Sequence, residues 1–132
     1  MNHALDSSAM IAYLRLEPGA TTVAQMLKDR GTCYAHTMNL LEVYYGFVRR
    51  DGERRALQAM SDLATAGVIE KRTMNRAFVY RVGKLKARGG IALPDCFCIA
   101  LAQDIGGEVV TTDHNEFDPL VPLNIVPITF IR

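Results

Sequence analysis

The stretch VVTTDHNEF, Val109 to Phe117, opens as an apolar strand and breaks into polar residues at Asp113, with two hydroxyls just before the acid. A short apolar run bounded by turn residues reads as a strand covered on both faces. A helix precedes it: PDCFCIALAQDIGG starts at Pro94, where a first helical position tolerates proline, and stops at Gly106 and Gly107. Downstream, NIVPITFI reads as a last strand, and its Pro127 argues for a sheet edge because proline cannot donate to a ladder.

Toward the amino terminus the same alternation continues. HALD is a short strand, followed by a helix over SSAMIAYLRL with Met10, Ile11 and Leu14 at helical spacing. A second helix spans about Thr21 to Arg30, with Val23, Met26 and Leu27 on one side and Gly31 as its stop. TCYAH is the second strand. TMNLLEVYYGFV is a helix whose stripe is Met38, Leu41, Tyr45 and Val48, breaking near Asp51 and Gly52. In the next helix, ERRALQAMSDLATAG, Leu57, Met60, Leu63 and Ala64 point inward. VIEKR is a third strand, and NRAFVYRVGKLKARGG a basic amphipathic helix with Phe78, Val79, Val82 and Leu85 inside. Strands alternating with helices imply an α/β fold with a mostly parallel central sheet and helices on both faces.

A chain of 132 residues fits one domain, residues 1–132, with 49% hydrophobic and 22% charged residues at ordinary globular levels. The opening MNHALDSS has no basic segment leading into an apolar run, and the longest apolar run, CFCIALA, is far too short to span a bilayer. A cytoplasmic, membrane-free protein is expected. Three cysteines cannot all pair within the chain, which fits a reducing compartment. The net charge of +1 conceals an asymmetry: Arg49 to Arg88 holds eleven Lys/Arg against four acids, and the remainder four against ten. That bias suits a polyanionic partner, and equally a set of solvated helix faces.

In open parallel sheets, ligands gather beyond the carboxyl ends of the strands. Asp6 follows the first strand, Glu42 sits in the helix after the second, Asp95 opens the helix before the fourth, and Asp113 ends that strand. Each acid has a plain structural alternative. Asp6 suits a helix N-cap, Asp95 gains from the positive end of a helix dipole, and Asp113 suits a cap on the turn HNEF. Glu42 is the least ordinary, since it falls within the apolar stripe of its helix, and an unpaired buried carboxylate costs several kcal/mol. Taken together, the four acids reach one crevice, where two carboxylates about 4 Å apart repel by roughly 4 kcal/mol at an effective dielectric of 20. A hard divalent ion, Mg²⁺ or Mn²⁺, relieves that repulsion through oxygen ligands. Thr111, Thr112 and Asn39 are placed to orient such ligands or a water.

The segments LDSSAMIAYL, NLLEVYYG and LPDCFCIALAQDIGGEVVTTDHNEF resemble, in order and across nearly the whole chain, the motifs of PIN-domain ribonucleases, notably the toxins of VapBC-type toxin–antitoxin pairs. The resemblance implies a three-layer α/β/α sandwich and an acidic Mg²⁺ or Mn²⁺ site. By motif position Asp6, Glu42, Asp95 and Asp113 would coordinate the metal, with Thr111 orienting a ligand or water. The implied reaction is hydrolysis of an RNA phosphodiester by a metal-activated water. An antitoxin protein is the implied partner. The chain departs from the pattern in its polar first strand and in one extra residue between Asp113 and Phe117, so Glu116 or Asp118 competes with Asp113 for the fourth position. Arg49, Arg50, Arg54, Arg55, Arg76, Arg81, Lys84 and Lys86 are the candidates for RNA phosphate contact.

The rival from another class is a non-catalytic PIN-like interaction module, in which the carboxylates only cap helices. Tyr44, Tyr45 and Phe47 near the first helices would suit a homodimer. A zinc site is disfavoured, because Cys96 and Cys98 are two apart on a helix and point to nearly opposite sides. His114 is expected at the surface.

Overall fold

The computed structural model describes residues 1–132. At its centre lies a strand of three residues, β1 (His3–Leu5), paired in parallel with β2 (Cys33–His36) on one side and, on the other, with the strand Glu108–Thr111. Beyond β2 lies β3 (Ile69–Lys71); the Glu108–Thr111 strand is β4, and β5 (Ile128–Phe130) closes the far edge. The order is β3-β2-β1-β4-β5, and all five strands are parallel. Pro127, immediately before β5, is thus at an edge, where its missing N–H costs no ladder bond.

Strand alternation builds the layers. Leu5 and Val110 face a core shared with α1 (Ser7–Leu14), α2 (Ala20–Lys28), α3 (Thr37–Asp51) and α4 (Glu53–Ala66). Their neighbours Ala4 and Val109 face the other side, against α5 (Arg76–Ala87), α6 (Leu93–Asp104) and Phe117 of α7 (His114–Phe117). Two cores divided by one sheet make the three-layer α/β/α sandwich. A 3₁₀ segment, Asp118–Leu123, links α7 toward β5 and was not anticipated from its sequence. Gly107 is required where it stands, since a Cβ there would run into the backbone of Asn2, beside which β4 begins.

Several helices are rotated from the sequence expectation. In α3 the buried residues are Asn39, Leu40, Val43 and Phe47, whereas Leu41 is 49% and Tyr45 41% exposed. The helix is apolar on more than one side, so packing against α1, α4 and α6, rather than periodicity, sets its phase. In α4 the inward face is Ala56, Ala59 and Leu63, with Leu57 outside; the small alanines let α3 and α4 approach closely. Val79 likewise faces outward from α5. Phe47 is buried, under the Arg15 guanidinium at 4.1 Å, so it belongs to the core rather than to a dimer surface; Tyr45 remains outside. Pro94 occupies the second position of α6, after Leu93.

The chain leaves β1 in one direction, through β2 and β3, and later returns to place β4 on β1's other side. That reversal, between the carboxyl ends of β1 and β4, is where such sheets open a crevice.

Candidate functional site

Asp6 occupies the residue after β1. Its backbone N–H continues the ladder to Val110 O at 3.1 Å, and only 2% of the residue is exposed. The carboxylate caps α1: Oδ1 accepts from the Ala9 N–H at 2.9 Å and from Ser8 Oγ at 2.7 Å. Thr111, the last residue of β4, donates its hydroxyl to Asp6 Oδ2 at 2.6 Å and accepts the Asp113 N–H at 2.9 Å. Ser8 Oγ also accepts the Thr112 N–H at 2.9 Å. The two strand ends are thereby laced together by two hydroxyls. Thr111's single proton is committed to Asp6, so the hydroxyl positions that carboxylate.

The remaining acids converge from three helices. Ser7, beside Asp6, donates to Glu42 Oε1 at 3.0 Å, which brings α3 to the crevice. Asp95 stands in the first turn of α6, half-buried, with the helix start at Ala92. Asp113 caps α7, its Oδ1 accepting the Glu116 N–H at 3.0 Å. Glu116 is half-buried beside it and takes a long bond, 3.5 Å, from the Ala92 N–H. Asp118 is exposed and turned to His114 at 2.9 Å, away from the crevice, whereas Glu116 lies beside Asp113. All five predicted residues, Asp6, Glu42, Asp95, Thr111 and Asp113, therefore lie at one end of the sheet. The capping roles weighed for Asp6 and Asp113 are real as well, whereas the helix of Asp95 starts without a side-chain cap.

Electrostatics set this crevice apart. None of Asp6, Glu42, Asp95, Asp113 or Glu116 forms an ion pair. Asp95 is pushed up to about 7, first by burial and then by the charges of Asp6, Glu116, Glu42 and Asp113. Burial lifts Asp6 to about 6 against the opposing pull of its bonds from Thr111, Ser8 and Ala9. Glu42 is raised by burial, partly offset by Ser7. One further polar atom shares the predicament: Asn39, fully buried, donates its amide to Pro94 O at 3.1 Å but its Oδ1 has no hydrogen-bond partner in the protein.

The donor set is all oxygen, anionic and without a protein cation, which is the chemistry a hard divalent ion satisfies. The side chains are not drawn into a finished shell, for no trio of His, Cys, Asp or Glu groups is gathered to hold an ion. The larger surface clefts lie elsewhere, along α1, α3 and α4; one of about 520 Å³ is bordered by Arg15, Phe47, Arg50 and Arg55. An ion among carboxylates needs no such volume, so the absence of a large cleft does not count against the crevice as the candidate site.

Cys96 and Cys98 are buried in the α6 core, and Cys33 is buried in β2. His114 is at the surface, stacked on Phe130 at 4.1 Å and bonded to the Arg132 carbonyl at 2.8 Å, a tether for the C-terminal strand. The residues that sequence reasoning undervalued are Ser7 and Ser8. Their signal was present in the run Asp-Ser-Ser at a strand end, where a first-turn hydroxyl can reach neighbouring loops.

Comparison with known proteins agrees with this architecture. VapBC-1 from nontypeable Haemophilus influenzae is similar at 19% identity, covering 99% of this chain and 98% of that one, with a TM-score of 0.71. VapBC2 from Rickettsia felis, bound to a DNA fragment from its promoter, gives 12% identity, 98% of each chain and a TM-score of 0.75. Mycobacterium tuberculosis VapC20, a sarcin-ricin loop cleaving toxin, gives 13% identity, 89% of this chain, 95% of that one and a TM-score of 0.69. No curated protein sequence matches at a significant score. No helix is long and apolar enough to cross a membrane. The sequence pattern of the PIN domain matches residues 4–119, most of the chain and all of the acidic crevice, and so this chain belongs to the PIN domain family.

Proposed function

We propose that the protein is a metal-dependent ribonuclease and the toxin of a toxin–antitoxin pair, with Mg²⁺ or Mn²⁺ held by Asp6, Glu42, Asp95 and Asp113 and supplemented by Glu116. The observation that carries this reading is the set of buried acids, Asp95 near 7 and Asp6 near 6, kept without any cationic side chain. When bound, such an ion lowers the pKa of a water and offsets charge on the phosphoryl oxygens. Thr111 and Ser8 hold the Asp6 carboxylate in one orientation, and Ser7 aims Glu42 at the same crevice. Ionised together, these acids supply the negative charge that a cation needs, and Asp95 accepts a proton readily near neutral pH.

RNA affinity would come from exposed basic residues that neutralise phosphates: Arg49, Arg50, Arg54 and Arg55 on α3 and α4, and Arg76, Lys84, Lys86 and Arg88 at α5. Arg81 is partly engaged with Asp104 at 3.7 Å. The antitoxin partner is inferred from the likeness to the VapBC complexes. A reduced environment suits the three free thiols.

The test is incubation of purified protein with single-stranded and structured RNAs in Mg²⁺, Mn²⁺ or chelator, beside Asp95→Asn. Cleavage should need both the metal and Asp95. The rival reading, a non-catalytic module, draws on the absence of a gathered trio of ligands. A melting temperature indifferent to millimolar Mn²⁺ would favour it.

A further inference from the structure

Asn39 is three residues before Glu42 on α3, on the same side of the helix, and its amide reaches the carbonyl of Pro94, the residue before Asp95. It therefore bridges the two helices that bring Glu42 and Asp95 to the crevice. Its orientation is not arbitrary. Turning the amide over would set Oδ1 against the Pro94 carbonyl, two acceptors facing each other, so the Nδ2 donor must point to Pro94 and Oδ1 must point away. That leaves a fully buried acceptor with no donor in the protein, the only such side-chain atom in the chain. Buried acceptors are nearly always paired, and an unpaired one calls for a specific account. Glu42 follows Asn39 by one turn of the same helix and Asp95 follows the carbonyl it holds, and a carboxylate supplies no permanent donor; what an acceptor beside such acids can meet is a cation or a water polarised by one.

We propose that Asn39 is a positioning residue of the acidic crevice, whose Oδ1 accepts a hydrogen bond from a water carried by the bound divalent ion while its amide fixes the Asp95 turn to the Glu42 helix. This rests on the ion reading given above, and it adds a residue whose side chain bonds to no carboxylate of the site. The two halves of the side chain then have separate duties: Nδ2 serves the scaffold and Oδ1 serves the ion's hydration.

The separation makes the test. Mn²⁺ is titrated calorimetrically into metal-free full-length protein, unaltered and as Asn39→Leu and Asn39→Asp, with chelator melts run alongside. Asn39→Leu, near in volume but without either polar atom, should weaken Mn²⁺ binding by about tenfold or more, the usual cost of losing a group that supports metal ligands. Asn39→Asp keeps an acceptor and loses the donor, so its chelator melt should fall while its Mn²⁺ affinity is held or increased. A purely structural Asn39 would lower both melts and leave the Mn²⁺ affinity of Asn39→Leu unchanged, and that result overturns the proposal. So does an Asn39→Asp variant that binds Mn²⁺ as poorly as Asn39→Leu. If Asn39→Leu does not fold, the direction of the Asn39→Asp affinity change decides alone. No Mn²⁺ response from the unaltered protein would overturn the ion reading together with this inference, whereas a normal response shared by Asn39→Leu removes this inference only.

Discussion

Strands β1 and β4 lie side by side, and a buried acid stands at each end of the pair. At the amino end Glu108 is clamped: His3 meets Oε2 at 2.6 Å, and the Thr129 hydroxyl donates to Oε1. At the carboxyl end Asp6 receives hydroxyl and amide donors but no cation, and Asp95, Glu42, Asp113 and Glu116 share that end of the sheet with none either. A fold that needs only a stable acid supplies a counter-group from within the chain, as at Glu108. Leaving several acids unmatched in one place is costly, and a proton or a cation relieves that cost.

The sharpest way to break this contrast is to neutralise the unmatched end. Asp95→Asn should reduce RNA cleavage by about a hundredfold or more and erase the Mn²⁺-dependent rise in melting temperature. At a hundredfold excess of ion over its Kd that rise corresponds to about 2.7 kcal/mol in the unaltered protein. Retained cleavage in Asp95→Asn would remove the distinction between the two ends.

The converse experiment addresses the matched end. Glu108→Ala strips both His3 and Thr129 of their partner, and urea melts should show a loss of about 3 kcal/mol, in the range for breaking a buried pair. Mn²⁺ affinity should stay as it was, because Glu108 begins β4 and the crevice lies at its other end. A large change in that affinity would mean the ends are coupled through the sheet.

Thr111→Val tests the lacing between strands. The change leaves Asp6 Oδ2 and the Asp113 N–H without their partner, so about 1–3 kcal/mol of stability should go, with roughly tenfold weaker Mn²⁺ binding. Loss of stability with unchanged binding would confine Thr111 to the scaffold.

A further effect is in pH. Asp6 and Asp95 titrate near 6 and 7 in the folded chain, above the ordinary value of 3.8, so between about pH 4 and 7 the folded state holds protons that the unfolded state has released. Their contribution to stability in chelator therefore falls as pH rises through that window and levels off above it. Melts of Asp95→Asn should depend on pH less steeply than those of the unaltered chain, and parallel curves would contradict the assignment.

The order of elements was legible because turn residues and alternating patterns punctuate the chain plainly, as at Pro94, Gly106 and Gly107. The acids Asp6, Glu42, Asp95 and Asp113 were legible because strand ends in a parallel sheet converge. Helix rotation was not: α3 offers Met38, Leu41, Tyr45 and Val48 as a stripe, yet buries Asn39, Leu40, Val43 and Phe47. Where apolar side chains surround a helix, periodicity leaves several phases nearly equal, and contacts with distant segments choose among them. Glu42 does reach the crevice through Ser7, yet the stripe that singled it out proved to be partly solvent-facing. The run Asp-Ser-Ser signalled hydroxyls at a strand end but not their partners, since Ser7 meets Glu42 across 35 positions and Ser8 and Thr111 join segments more than a hundred apart.

That span has a consequence for synthesis. The bond from Thr111 to Asp6 closes across 105 residues, and the first strand made waits for its second neighbour until two other strands have been made. A nascent chain released before β4 holds Asp6 without the lattice that orients it. If the crevice cuts RNA, its cutting edge waits on a strand made about a hundred residues after the acid it orients.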